Sequence, residues 1–183
     1  IESIFELLGP DYFAEHPRVR DTLGQWLLDE IGKLTAEDKF TKGEVLFKDL
    51  KRVDPSRAEA RRIQFYLQWA RFYREQKDYE QALKLYVQDL IDIAPNIARD
   101  RIVATLAEAE QEYRKLDQLP RAAQLYEQYG LPQVPEISRD RIAQLWLSQG
   151  WMRMQAGDLE AARDAFRIAD RTKPDSAKRD LLE

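Results

Sequence analysis

The chain has 183 residues, 44% hydrophobic and 34% charged, with only 7 Gly. That length suits one domain or one continuous array with a real core, and the composition excludes a disordered chain. A formal charge of −4 and a pI near 5.3 argue against a general nucleic-acid binder. With no Cys there is no disulfide framework, no thiolate nucleophile and no Cys-based zinc site. No stretch approaches the roughly 18 apolar residues of a membrane span, and no signal peptide is legible. A chain without Cys suits cytoplasm and bacterial periplasm equally. It begins at Ile1 rather than Met and stops in SAKRDLLE, as expected of a segment excised from a longer protein.

Taken in chain order, ESIFELLGPDYFAE predicts a helical leader within 1–20. DKFTKGEVLFKDLKRVDP (38–55) then places Phe40, Gly43, Phe47 and Pro55 in an order that returns three times. Ile63, Tyr66, Leu67, Ala70 and Tyr73 form one helical stripe; the polar turn EQKD (75–78) follows, then a second stripe of Leu83, Tyr86, Leu90 and Ile93. ARDRIVATL at 98–106 returns as SRDRIAQLW at 138–146, and LPRAAQLY at 119–126 as LEAARDAF at 159–166, both at a shift of 40. Ala82, Ala122 and Ala162 therefore align, as do Tyr86, Tyr126 and Phe166. The small residue gives a partner helix room, and the aromatic four positions later fills the gap on the same face.

Four helix-turn-helix units follow, at 21–57, 58–97, 98–137 and 138–176, with a cap helix beginning at 177–183, and 1–183 reads as one array. Pro55, Pro95, Pro135 and Pro174 are expected to stop the second helices. Ser56 with Glu59 reads as a capping box, and Gly157-Asp158 as a backbone-permissive turn. One helix pair cannot bury its apolar face alone, which is why such units stack.

In the fourth unit Trp146, Gly150, Gly157, Asp158, Ala162, Phe166, Ala169 and Pro174 follow, in order and spacing, the signature of a tetratricopeptide repeat (TPR), which this unit resembles. The second unit keeps Tyr66, Tyr73, Asp78, Tyr79, Ala82 and Tyr86; the third keeps Leu106, Tyr113, Ala122 and Tyr126; the first keeps Leu27, Phe40, Phe47 and Pro55. Glu110, Asp89 and Tyr129 stand where the signature has small residues, and the spacing exceeds the family's usual 34. The resemblance implies an all-α, right-handed α-solenoid of about four repeats with a C-terminal cap helix. Its first helices would line a concave groove for a peptide or a partner's helix.

Carried over residue by residue, the groove would be lined by Gln25, Leu28 and Asp29 in the first unit and by Gln64, Gln68, Arg71 and Arg74 in the second. The third would offer Glu108, Gln111, Arg114 and Lys115, and the fourth Gln144, Leu147, Ser148, Trp151 and Met154. Arg71, Arg74 and Arg114 suit carboxylates and peptide carbonyls, because a guanidinium presents a fixed fork of donors; the competing reading is a solvated helix face. Trp151 is either an interface anchor or the cover for the cap helix. The Arg-Asp-Arg tripeptides at 99–101 and 139–141, and the cluster Lys51, Arg52, Arg57, Arg61 and Arg62, read as structural or solvated charge.

His16 is the only His, and no Gly-rich phosphate loop is present. The expectation is a non-enzymatic protein-binding scaffold that needs no cofactor or metal, with a protein or peptide partner, no nucleic acid and no membrane contact in this segment. The alternatives are an oligomerisation module that associates with itself and a regulatory accessory domain of a larger protein.

Overall fold

A computed structural model describes residues 4–174, and within them every regular element is a helix and none is a strand. The elements are α1 (Ile4–Glu15), α2 (Pro17–Ala36), α3 (Phe40–Val53), α4 (Pro55–Glu75), α5 (Tyr79–Leu85), α6 (Pro95–Lys115), α7 (Leu119–Leu125), α8 (Pro135–Gln155) and α9 (Leu159–Thr172). Two of them run on into single π-helical turns, α5 through Tyr86–Leu90 and α7 through Tyr126–Gly130. The chain forms two units, Ile1–Gln76 and Lys77–Glu183, which divide inside the turn expected at 75–78. The expected cap helix at 177–183 lies outside the described residues.

The long period has two sources. First helices α4, α6 and α8 are each 21 residues long. The intervals from the start of each second helix to the next Pro differ by one residue: 15 positions separate Phe40 from Pro55 and Leu159 from Pro174, but 16 separate Tyr79 from Pro95 and Leu119 from Pro135. Among the described residues the π turns occur in the two copies with the longer interval alone, each as the last turn of its second helix, where the wider turn accommodates the inserted residue.

The turns inside the pairs share one geometry. Asp38, Lys77, Asp117 and Gly157 all adopt left-handed backbone, with φ of 57°, 59°, 54° and 80°. Behind three of them the next amide donates back to the last helical turn: Lys39 to Leu34 at 2.8 Å, Gln118 to Tyr113 at 2.8 Å and Asp158 to Arg153 at 2.9 Å. This pattern satisfies carbonyls that the helix end would otherwise strand. Gly is present at only one of the four.

Two expectations about helix ends are corrected. Pro55, Pro95 and Pro135 occupy the first turns of α4, α6 and α8, where a missing amide hydrogen costs nothing, so they open the following helices. The cap of α4 is Asp54, whose carboxylate accepts the Arg57 amide at 3.1 Å. Ser56 lies inside the helix, and the capping box does not form.

In the first unit α1 and α4 flank the α2–α3 pair around buried Phe13, Leu27, Phe40, Leu50 and Phe65. A side chain on Gly43 would come within 3.0 Å of the Phe65 ring, so Gly43 supplies the clearance that Ala supplies in later copies. In the second unit α7 packs on both α6 and α8, and α9 on α8. Its core comprises Ala82, Leu83, Ile102, Leu106, Ala122, Tyr126, Ile142 and Ala162. Gly150 faces Phe166, whose ring carbons lie 2.5–2.9 Å from where a methyl group would sit.

Candidate functional site

In the first unit an open cleft of about 880 Å³ runs between α2 and α4. Residues Arg61, Gln64, Gln68 and Arg71 recur at intervals of three and four along α4 and so share one face. Gln25, Leu28, Asp29, Gly32, Thr35 and Ala36 do the same along α2. The floor is aromatic, formed by Phe40, Phe47, Phe65 and Phe72. Phe40 and Phe72 have ring centroids 5.5 Å apart, and Phe47 lies 4.7 Å from Phe65, which fixes the floor's shape. Gly32 holds one wall low: a methyl group there would meet nothing within 4 Å.

The rim is polar but internally engaged. Gln25 donates to Asp29 at 2.8 Å, Arg71 to Glu75 at 2.7 Å, and Arg61 to the Gln64 carbonyl at 3.4 Å. The cleft thus offers exposed carboxamides, each with donor and acceptor capacity, above a rigid apolar base. Gln64, Gln68 and Arg71 are brought together as expected. Arg74, half-buried, is not part of the lining.

The second unit holds a polar centre that explains Glu110. The Tyr126 hydroxyl donates to Glu110 Oε2 at 3.1 Å, and Arg114 donates to Oε1 of the same carboxylate at 3.1 Å. Burial pushes the Tyr126 phenol well above its ordinary range, the neighbouring Glu110 charge adds to this, and Arg141 opposes it. An acid therefore replaces the small residue because a phenol and a guanidinium receive it. Tyr129 follows the same logic: it is buried, and its hydroxyl reaches Glu80 at 3.4 Å, while Gln128 donates to the phenol oxygen at 3.1 Å. No sequence signal pairs Glu110 with Tyr126, which are 16 positions apart on different helices.

Gln111, Arg114 and Lys115 are exposed on α6, as is Gln144 on α8, where its carbonyl accepts from Arg141 at 3.3 Å. Met154 is also exposed. Leu147 is a correction: it is 6% exposed and cannot meet a partner. Because α8 is covered by α7 on one side and α9 on another, its buried arc is wider than a single stripe and takes in Leu147. Trp151 is half-buried, and its ring meets Phe166 edge to face at 5.4 Å and 73°.

Several of the other charged groups are structurally occupied. Arg57 pairs with Asp54 and Asp21 at 3.3 and 3.5 Å, and Arg52 with Asp49 at 3.6 Å. Asp100 and Asp140 fall in the second turns of α6 and α8 rather than at their starts, and Asp140 pairs with Lys173 at 2.9 Å. His16 is exposed, stacks on Tyr12 at 4.2 Å, and its Nδ1 lies 2.8 Å from the Tyr12 carbonyl. Among the described residues no group of three or more His, Asp or Glu is placed to hold a metal ion, and no helix is long and apolar enough to cross a membrane. Compared with family models and with curated proteins, the chain matches none.

Proposed function

We propose that this chain is a TPR-like array of helix pairs, coiled as a right-handed solenoid, that acts as a non-enzymatic scaffold binding an extended peptide or a partner's helix on the faces of its first helices. The observation that carries the reading is the α2–α4 cleft, with its carboxamide stripe, aromatic floor and low wall at Gly32. Side-chain carboxamides suit peptide backbone, since each can donate to a carbonyl and accept from an amide. The aromatic floor suits an apolar anchor residue.

The test is panning of a random peptide phage library against the full chain and against Gly32→Leu. The leucine adds bulk to the cleft wall at a position where a Cβ meets nothing within 4 Å, so the expected outcome is a variant that keeps its helical signal and loses the enriched peptides. Peptides enriched equally on both proteins, or none enriched on either, would remove the cleft reading.

Assembly through an end face is the second reading, and one observation favours it. Leu159, which opens α9, is 68% exposed, whereas its equivalents Phe40, Tyr79 and Leu119 are 4%, 4% and 1% exposed. Met152 and Met154 are exposed on the same helix pair. Sedimentation at micromolar concentration distinguishes the readings: a monomer that Leu159→Lys leaves unchanged rules out self-assembly through this face.

A further inference from the structure

We propose that the α2–α4 cleft takes an extended peptide segment rather than a helix, with apolar residues at alternate positions, and that Gln64 and Gln68 read its backbone. This rests on the cleft reading and adds the ligand's conformation to it. On α4, Gln64 and Gln68 both line the cleft and stand four positions apart. On α2, Gln25 and Asp29 line it at the same interval. Four residues of helix rise about 6 Å, and two residues of extended chain span about 6.7 Å. Each wall therefore offers hydrogen-bonding groups at close to the repeat of an extended chain lying along it.

A helix uses its own amides and carbonyls internally, so as a ligand it would present only side chains to these groups. An extended segment leaves its N–H and C=O groups free and directs them sideways, toward the flanking walls. Its side chains then alternate between the floor and solvent. The walls supply both kinds of partner. Gln68 makes no hydrogen bond among the described residues, so both ends of its carboxamide are open. Gln64 only accepts, from Arg61 at 3.4 Å, and keeps its amide hydrogens. Asp29 accepts from Gln25 at 2.8 Å through Oδ1, which leaves Oδ2 to receive a ligand N–H. Leu28 and Phe72 are half-buried in the lining, so the ligand side chains that point to the floor meet apolar surface there.

The test sequences the phage-library peptides that bind the full chain and are lost on Gly32→Leu, then titrates the most enriched one, labelled, by fluorescence anisotropy. Apolar residues should recur at every second position. Gln64→Met with Gln68→Met keeps side-chain length at two exposed positions and removes both carboxamides. It should weaken binding about tenfold, the effect of two lost hydrogen bonds. Gln111→Met with Gln144→Met makes the same change on the second unit and should alter affinity less than about twofold. N-methylation of every second backbone nitrogen of the peptide, in either register, should abolish binding. The proposal is overturned if the enriched sequences space apolar residues by three and four, if the N-methylated peptides bind as well as the parent, or if the Gln64, Gln68 double variant binds as tightly as wild type. Any of these with binding still lost on Gly32→Leu removes the extended ligand and leaves the cleft reading. Enrichment that Gly32→Leu does not alter, or none at all, removes both.

Discussion

Gly150→Ala and Gly32→Ala are the same substitution in two helices, and the structure assigns them opposite signs. Relative to Gly, Ala in a helix interior gains about 0.5–1 kcal/mol from reduced backbone entropy. At Gly32 nothing lies within 4 Å of the added methyl, so that gain stands alone and the variant is more stable by about that amount. At Gly150 three carbons of the Phe166 ring would lie at 2.5, 2.7 and 2.9 Å, well inside contact distance. The ring cannot swing aside freely because Trp151 packs edge-on against it at 5.4 Å. Overpacking of this kind costs about 1–3 kcal/mol, so subtracting the helix gain of about 0.5–1 kcal/mol leaves a net loss of up to about 2.5 kcal/mol at Gly150. Urea unfolding followed by tryptophan fluorescence and far-ultraviolet circular dichroism measures both. Adding Phe166→Leu to Gly150→Ala should recover part of the loss, giving a coupling of the kind expected for residues in contact. Equal stabilisation by both Ala substitutions would refute the close approach of α8 and α9.

Thr105 is fully buried and its hydroxyl has no hydrogen-bond partner, so the isosteric Thr105→Val should stabilise the chain by about 1–2 kcal/mol in the same unfolding assay. Asp117 holds left-handed backbone at φ 54°, so Asp117→Gly should add about 0.5–1 kcal/mol once the entropy cost of Gly is subtracted, whereas Gly157→Ala should lose about 1 kcal/mol. The Tyr126 phenol is raised in the fold, mainly by burial, so the native state holds its proton where the unfolded chain releases it. Stability is therefore full below about pH 10 and falls as pH rises above that value; Tyr126→Phe should flatten the fall, measured as Tm against pH.

Much of the architecture was legible in local sequence. Helical stripes, aligned small residues and aromatics, and a Pro recurring near the end of each unit are all short-range signals; they put turns at 75–78 and 157–158, where α4 gives way to α5 and α8 to α9. The π turns were countable in principle, because the interval from the start of a second helix to the next Pro is one residue longer in two copies. The sequence does not say whether that residue joins the helix or the loop. The prolines were placed correctly but given the wrong duty: one residue separates α3 from Pro55 and four separate the π turns from Pro95 and Pro135, so each Pro lies close enough to both helices to be assigned to either from sequence.

The candidate site divides along the same line. Gln64, Gln68 and Arg71 share one face of α4 by periodicity alone, and the structure sets them on one cleft. Periodicity could not identify Gly32 as open space, because whether a glycine is clearance or vacancy depends on what the opposing helix brings near it. Nor could it bury Leu147, which depends on α8 having neighbours on two sides, or join Glu110 to Tyr126 across two helices. Local sequence determines which residues share a helical face, since that follows from 3.6 residues per turn. The tertiary structure decides which faces are covered and which charges find partners, since those depend on residues distant along the chain.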